Sequence, residues 1–308
     1  MGGNRTTLDG ILLIDKPAGL TSAGVVREVK RRLGVSKIGH LGTLDPFATG
    51  LLPLAIGEGA KVVPFLNQER KAYTGVISLG CATDTLDATG KTTETATVPR
   101  LTPDQLRSTA NRFCGEIKQI PPMFSALKRS GVALYKLARK GIDVELEPRI
   151  VHVHELSLTF TTDGDLSLSV RCSKGTYVRS LARDIARALG TVGHLSMLCR
   201  TEFGPFALSN AVPLADVSVS IPLPITGPRE ALSGMRELSG DRRLVSEVRL
   251  GQQRGLARLG DASRPDETIK LVGPHGELVA VLAARAEGWK VLRVFRESAG
   301  DRMDDPRS

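Results

Sequence analysis

Ile11 to Ile14 is an unbroken apolar run, closed by Lys16-Pro17 and Gly19, and reads as a short buried strand. After it, Val25, Val26, Val29 and Leu33 recur at helical spacing, with Ser22 placed to cap the start and Gly34 to end it. Arg27, Lys30, Arg31 and Arg32 fill the remaining positions of that helix, a pattern equally suited to a solvated face and to nucleic-acid contact. Leu51 to Ile56 is again apolar and strand-like, and the alternation from Lys71 to Leu79 predicts a strand carrying Tyr73. Thr102-Pro103-Asp104-Gln105 predicts a helix start, with Thr as cap, Pro in the first turn and Gln three residues on; Leu106, Ala110 and Phe113 then face inward. Pro121-Pro122 interrupts any regular element, and Leu134, Leu137 and Ala138 mark a helix that also bears Lys136, Arg139 and Lys140. Ile150 to Phe160 and Leu166 to Cys172 read as paired strands around a turn at Asp163-Gly164. Thr176 to Leu189 is helical, with Leu181, Ile185 and Leu189 at core spacing and Arg179, Arg183 and Arg187 at polar-face spacing.

From Pro205 to Pro228 the composition shifts to Pro, Ser, Ala and Val, as in a connector packed on what precedes it. A second unit begins near Gly234, with a basic helix around Arg242 to Gly251 and strands near Thr268 to Gly273, Glu277 to Ala284 and Trp289 to Phe295. At roughly 65 residues it is small for an independent core. The expected organisation is therefore a first domain over 1–230, a small second one over 231–296, and a charged, disordered tail over 297–308. A chain of 308 residues exceeds the usual single-domain size, and 41% hydrophobic residues suffice for a sizeable core. No apolar run is long enough to span a bilayer and Met1 to Leu8 lacks the features of a secretory signal, so a cytoplasmic location is expected. The net charge of +9 favours a polyanionic partner, though weakly when taken alone. Cys81, Cys114, Cys172 and Cys199 are far apart without a C-x-x-C pair, the pattern of reduced thiols, with neither zinc nor disulfides indicated.

The densest chemical signal runs from Lys37 to Gly50, K-I-G-H-L-G-T-L-D-P-F-A-T-G. Glycines permit positive φ and close approach of a ligand, while Pro46 holds Asp45 extended, so the segment reads either as a rigid loop presenting one acid or as a tight connection in which Asp45 caps a turn. Asp84 and Asp87, in the polar stretch Thr83 to Thr89, lack the further oxygen ligands and the glycine of a calcium loop and are expected to be solvated. His152 and His154 share one strand face, but no third ligand accompanies them, which favours an exposed strand face over a metal site. A phosphate-cradling G-x-x-x-x-G-K-[ST] motif is absent.

The G-H-x-G-T-L-D-P-x-A-T-G pattern resembles the catalytic loop of the TruB family of tRNA pseudouridine synthases. Further blocks resemble the same family in the same order: Gly10 to Ser22, Arg70 to Gly80, Asp84 to Gly90, Gln119 to Lys128 and Cys172 to Arg179, together covering roughly residues 10 to 205. One departure stands out: Leu41 occupies a position where the family usually has Thr. The resemblance implies an α+β fold, with a mixed, largely antiparallel sheet flanked by helices and a small C-terminal PUA-like β domain. It implies isomerisation of uridine 55 in the T-loop of tRNA to pseudouridine, by base flipping, in a monomeric enzyme needing no metal or organic cofactor and no membrane. Asp45 would be the nucleophile, with attack at C6, attack at C1′ and a glycal route all open. Arg179 would be its partner, holding its pKa low despite burial, and Tyr73 would stack on the base or serve as a base. Tyr177 and Leu198 would line the uracil pocket, His40 would fill the space left by displaced bases, and Lys16 would support the site or touch phosphate. Two rival readings stay open: an RNA-binding protein or tRNA chaperone without catalysis, and a synthase acting on another RNA.

Overall fold

Alternation along two strands sets the architecture. In the strand Gly10–Lys16, Leu12 and Ile14 enter one apolar cluster while Ile11 and Leu13 enter another, because successive side chains leave opposite faces of a sheet. The neighbouring strand Thr49–Ile56 divides the same way: Leu52, Leu54 and Ile56 go to the first cluster, Leu51 and Ala55 to the second. Burial on both faces is why these segments are continuous apolar runs rather than alternating ones.

The computed structural model describes residues 8–66, 70–125, 127–129, 131–142, 144–252, 254–262 and 264–296. The tail expected over 297–308 lies outside the described residues. An eleven-stranded mixed sheet runs in the order Val212–Pro213, Gly10–Lys16, Thr49–Ile56, Gly193–Phe203, Lys71–Leu79, Leu166–Cys172, Arg149–Phe160 and Gly115–Gln119, with Ile38–His40, Phe206–Ala207 and Ile225–Thr226 paired to its side. Two contacts are parallel, Val212–Pro213 on Gly10–Lys16 and Gly193–Phe203 on Thr49–Ile56; the others are antiparallel. The fold is thus α+β with a largely antiparallel sheet, as expected. The proline-rich connector does more than pack on the sheet, since it supplies three of its short strands.

One face of the sheet carries the helices Ser22–Leu33, Pro103–Arg112 and Val178–Ala188, through Val25 and Val29, Leu106 and Ala110, and Leu181 and Ile185. Thr102 and Gln105 form the expected capping box. The first helix differs in one detail: Thr21, not Ser22, is its cap, accepting from the Gly24 amide at 2.9 Å. Ser22 is buried and exchanges hydrogen bonds with Leu44, donating to its carbonyl at 3.1 Å and accepting from its amide at 2.9 Å. The helix is thereby fastened to the acid loop one residue before Asp45.

The other face is covered by a four-stranded sheet, Glu237–Ser239, Thr268–Val272, Leu278–Arg285 and Gly288–Val294 in that order. Its first strand is only three residues long and has no legible pattern. Leu278, Val281 and Phe295 share a cluster with Ile11, Leu13 and Phe203, whereas Val279 and Leu282 pack on the helix Arg242–Arg249. The second sheet therefore closes over the back of the first. No helix among the described residues is long and apolar enough to cross a membrane.

Candidate active site

The acid loop joins Ile38–His40 to Thr49–Ile56, and its two ends are zipped together by the pairing of His40 with Leu54 and by the Leu41 amide donating to the Pro53 carbonyl at 2.9 Å. Gly42 and Gly50 let it lie against the strand Gly193–Phe203. At Gly42, φ is +69° and a Cβ would press to 2.8 Å from the Phe203 ring; at Gly50, φ is +95° and a Cβ would strike the Arg200 carbonyl. Leu41 is fully buried in the apolar cluster with Phe203 and Phe206, so in this chain the position is filled by packing where the family has a hydroxyl. Lys16 is also fully buried; its ammonium donates to the carbonyls of Pro17, Leu20 and Pro46 at 2.8, 2.7 and 3.2 Å. With its three donors on backbone carbonyls, Lys16 is in the place of the first expected role, supporting the loop next to Asp45, rather than that of a phosphate contact. Burial lowers its pKa to about 8, against the pull of Asp45.

Asp45 meets Arg179, from the first turn of the helix Val178–Ala188. The guanidinium grips both carboxylate oxygens, Nε to Oδ2 at 2.8 Å and Nη2 to Oδ1 at 3.1 Å. Its other N–H groups donate to the carbonyls of Thr85 at 2.7 Å and Phe124 at 2.8 Å, and Nη1 lies 3.5 Å from Oδ2 of Asp87. Arg179 is 4% exposed, so its polar-face spacing conceals a buried fork whose planar geometry suits bidentate binding. Asp45 keeps 34% of its side-chain surface open, enough to reach a reactant. Burial pushes its carboxyl above the ordinary value; Arg179 and Lys16 pull down and the Asp87 charge pushes up. Arg179 does pull this acid down, as expected of a guanidinium partner, but burial acts in the opposite direction.

Asp87 departs from expectation. Expected in solvent, it is 4% exposed, with Oδ1 accepting from the Thr85 and Thr89 hydroxyls at 2.8 and 2.6 Å and from the Thr89 amide at 3.0 Å. That leaves Oδ2 turned to Arg179. The signal in the sequence was the pair of threonines two residues to either side, which satisfy the carboxylate locally and allow its burial.

A cavity of about 270 Å³ opens over Asp45, lined by Tyr73, Tyr177, Leu198, Arg179, Lys71 and Arg200 among others. Tyr73 comes from the middle of the strand Lys71–Leu79, and Leu198 lies on the adjoining strand Gly193–Phe203. Tyr177 is held by Gln119, which accepts from its amide at 2.8 Å and donates to its carbonyl at 3.1 Å. His40 does not line this cavity. It is half-buried, Nδ1 has no hydrogen-bond partner among the described residues, and burial with the nearby Arg200 lowers its pKa. Arg200, which nothing in its sequence context singled out, is 1% exposed; it donates to the carbonyls of Leu51 at 2.8 Å and Gly42 at 3.0 Å and lies beside the Tyr73 phenol. It thus couples the acid loop to the tyrosine. His152 and His154, 4.5 Å apart, are not part of this cavity, and among the described residues no three His, Cys, Asp or Glu side chains cluster as metal ligands.

Taken together, the site is one carboxylate in a bidentate clamp, beneath a cavity of about 270 Å³ walled by aromatic, aliphatic and cationic side chains. Comparison with known proteins agrees with this chemistry. Residues 30–178 match the profile of the TruB family pseudouridylate synthase N-terminal domain, and residues 179–230 match that of the tRNA pseudouridylate synthase B C-terminal domain. The tRNA pseudouridine synthase B of Geotalea uraniireducens (strain Rf4) is 39% identical over 97% of this chain and 99% of its own length. That of Geobacter sulfurreducens is 43% identical over 94% of this chain and 100% of its own. The crystal structure of a Cbf5-Nop10-Gar1 complex contains a chain similar over 95% of this one and 87% of itself, with a TM-score of 0.72 and 25% identity. Matched along nearly its whole length, with the acid loop inside the matched region, the chain belongs to the TruB family of pseudouridylate synthases.

Proposed function

We propose that this protein converts uridine to pseudouridine in tRNA, at position 55 of the T-loop. The observation that carries the reading is Asp45, clamped through both oxygens by Arg179 yet open to a cavity sized for one base. The reaction breaks the N1–C1′ bond and joins C5 to C1′, so it needs neither redox chemistry nor hydrolysis, and one carboxylate suffices as nucleophile. Arg179 orients that carboxylate and stabilises its charge, and Asp87 braces Arg179 from behind. Tyr73 stacks on the base and accepts a proton during the sugar step, with Arg200 setting the position of its phenol. Leu198 and Tyr177 hold the ring while it turns. A uridine in a folded loop is stacked, so it must be extruded to enter, at a cost of about a few kcal/mol that backbone contacts repay. The four-stranded sheet that follows residue 236 grips RNA distal to the modified base.

The test is pseudouridine mapping in bulk tRNA with and without the protein, beside tritium release from a T stem-loop labelled at uridine C5. Asp45→Asn is expected to bind the stem-loop with wild-type affinity and to yield no pseudouridine. Turnover by that variant would remove Asp45 from its role, and modification at a different uridine would overturn the assignment to position 55.

A further inference from the structure

Lys71 precedes Tyr73 by two residues on one strand, so its side chain leaves the same face of the sheet and lines the same cavity. Its ammonium is half-buried, 5.1 Å from the centroid of the Phe203 ring. The other buried lysines have partners: Lys16 its three carbonyls, and Lys270 the carbonyl of Leu232 at 3.2 Å and Glu237 at 3.5 Å. Among the described residues, no carboxylate or carbonyl accepts from Lys71. The strand register explains its company, because Lys71 pairs with Cys172 on one side and Phe203 on the other. The charged and titratable groups that face it are Arg200 from the strand Gly193–Phe203, Lys174 just past the strand Leu166–Cys172, and the Cys172 thiol. Both charged neighbours share its sign. Burial, with help from those cations, lowers its pKa to about 8, and burial raises that of the thiol to about 11.

An ammonium withdrawn from water beside like charges costs free energy, and a position needing only packing would be better served by an apolar side chain. The cost is offset once a ligand brings an anion. Asp45 is already engaged by Arg179, and the carbonyl oxygens of uracil carry no formal charge. The charged groups an RNA substrate brings to this cavity are its phosphodiesters. We propose that Lys71 is a phosphate-binding residue that holds a backbone phosphodiester next to the extruded nucleotide. The assignment rests on the reading of the cavity as a uridine site. It adds to that reading a fixed backbone contact, which anchors the strand beside the extruded nucleotide.

The test compares wild type, Lys71→Gln and Lys71→Arg on an unmodified T stem-loop and on stem-loops carrying a neutral methylphosphonate at each linkage adjoining the target uridine. With the unmodified RNA, Lys71→Gln should raise Kd and KM about tenfold, the size of one lost charge-assisted contact, while kcat changes much less. The slope of log Kd against log salt should flatten by about one, and Lys71→Arg should restore both. At one linkage the methylphosphonate should weaken wild-type binding about tenfold and leave Lys71→Gln no weaker than it already is. Wild-type affinity should also decline above about pH 8 as the ammonium titrates, whereas that of Lys71→Arg should not. Unchanged affinity and salt slope in Lys71→Gln, or no linkage at which wild type is sensitive, overturns the inference. So does a fall in kcat at unchanged Kd, which would assign the ammonium to a uracil carbonyl instead. A wild-type protein that fails to isomerise the unmodified stem-loop overturns the activity itself. Wild-type turnover with an indifferent Lys71→Gln overturns this inference alone.

Discussion

Replacing Arg179 by Lys keeps the charge and removes the fork, which separates the two things the guanidinium does. Arg179 reaches Asp45 twice, the carbonyls of Thr85 and Phe124 once each, and Asp87 at longer range. A lysine has three donors radiating from one atom, so it cannot hold both oxygens of Asp45 and also serve two carbonyls on opposite sides. An acceptor orphaned in a dry site costs about 1–3 kcal/mol, and with one or two orphaned the variant should lose about 2–4 kcal/mol of stability. For a chain of this size that lowers Tm by about 3–6 °C. Released from its clamp, a carboxylate displaced by about 1 Å loses on the order of 100-fold in rate. Tritium release from a C5-labelled stem-loop measures kcat, and thermal unfolding followed by circular dichroism measures the rest. Arg183→Lys is the control: one turn along the same helix, Arg183 donates, among the described residues, to Asp184 at 2.8 Å and weakly to the Ile120 carbonyl at 3.5 Å. It should change stability by less than about 1 kcal/mol. Wild-type kcat and Tm in Arg179→Lys would show that charge alone suffices and would refute the argument from geometry.

Two further perturbations follow from the same contacts. The proposed reaction uses the Asp45 carboxylate, and burial raises the pKa of that group, so kcat should fall as pH drops through a value above the ordinary carboxylate range of about 4. Asp87→Asn removes a charge that adds to this rise; the acid limb of the pH–rate profile should move to lower pH while kcat drops about tenfold as Arg179 loses its brace, and an unmoved limb would show that Asp87 does not act on Asp45. Leu41→Thr restores the residue usual in the family but sets a hydroxyl among Leu51, Phe203 and Phe206; urea unfolding should show a loss of about 2–4 kcal/mol, and a neutral result would mean the cluster relaxes around it.

Most elements were legible because their period is written locally. The run Ile11 to Ile14, the alternation in Lys71–Leu79 and the capping box at Thr102 each settle a backbone conformation from a few neighbouring residues. The loop around Asp45 was legible for a similar reason, through its glycines and proline, although they left open whether the acid is presented or caps a turn, and the family resemblance chose between the two. What failed was the reading of environment. Arg179 falls at polar-face spacing on an amphipathic helix, and only the packing of that helix over the cavity turns its first turn inward. Asp87 was placed in solvent because its partner is ninety-two positions away in the chain. Lys71 and Arg200 gave no signal, being ordinary cations on strands until the sheet order sets those strands side by side.

The sequence by itself determined the α+β class, the loop that presents Asp45 and the family to which the chain belongs, because these rest on short-range pattern and on motif order. Only the tertiary structure decided which charges are dry: that Lys16 is spent on carbonyls, that Asp87 braces Arg179, that burial pushes the Asp45 pKa up, and that Lys71 faces the cavity with no carboxylate or carbonyl partner among the described residues. The physical reason is that burial and charge pairing depend on distances between residues remote in the chain, and in a medium of low dielectric those distances, not the identities of the side chains, fix what each group can do.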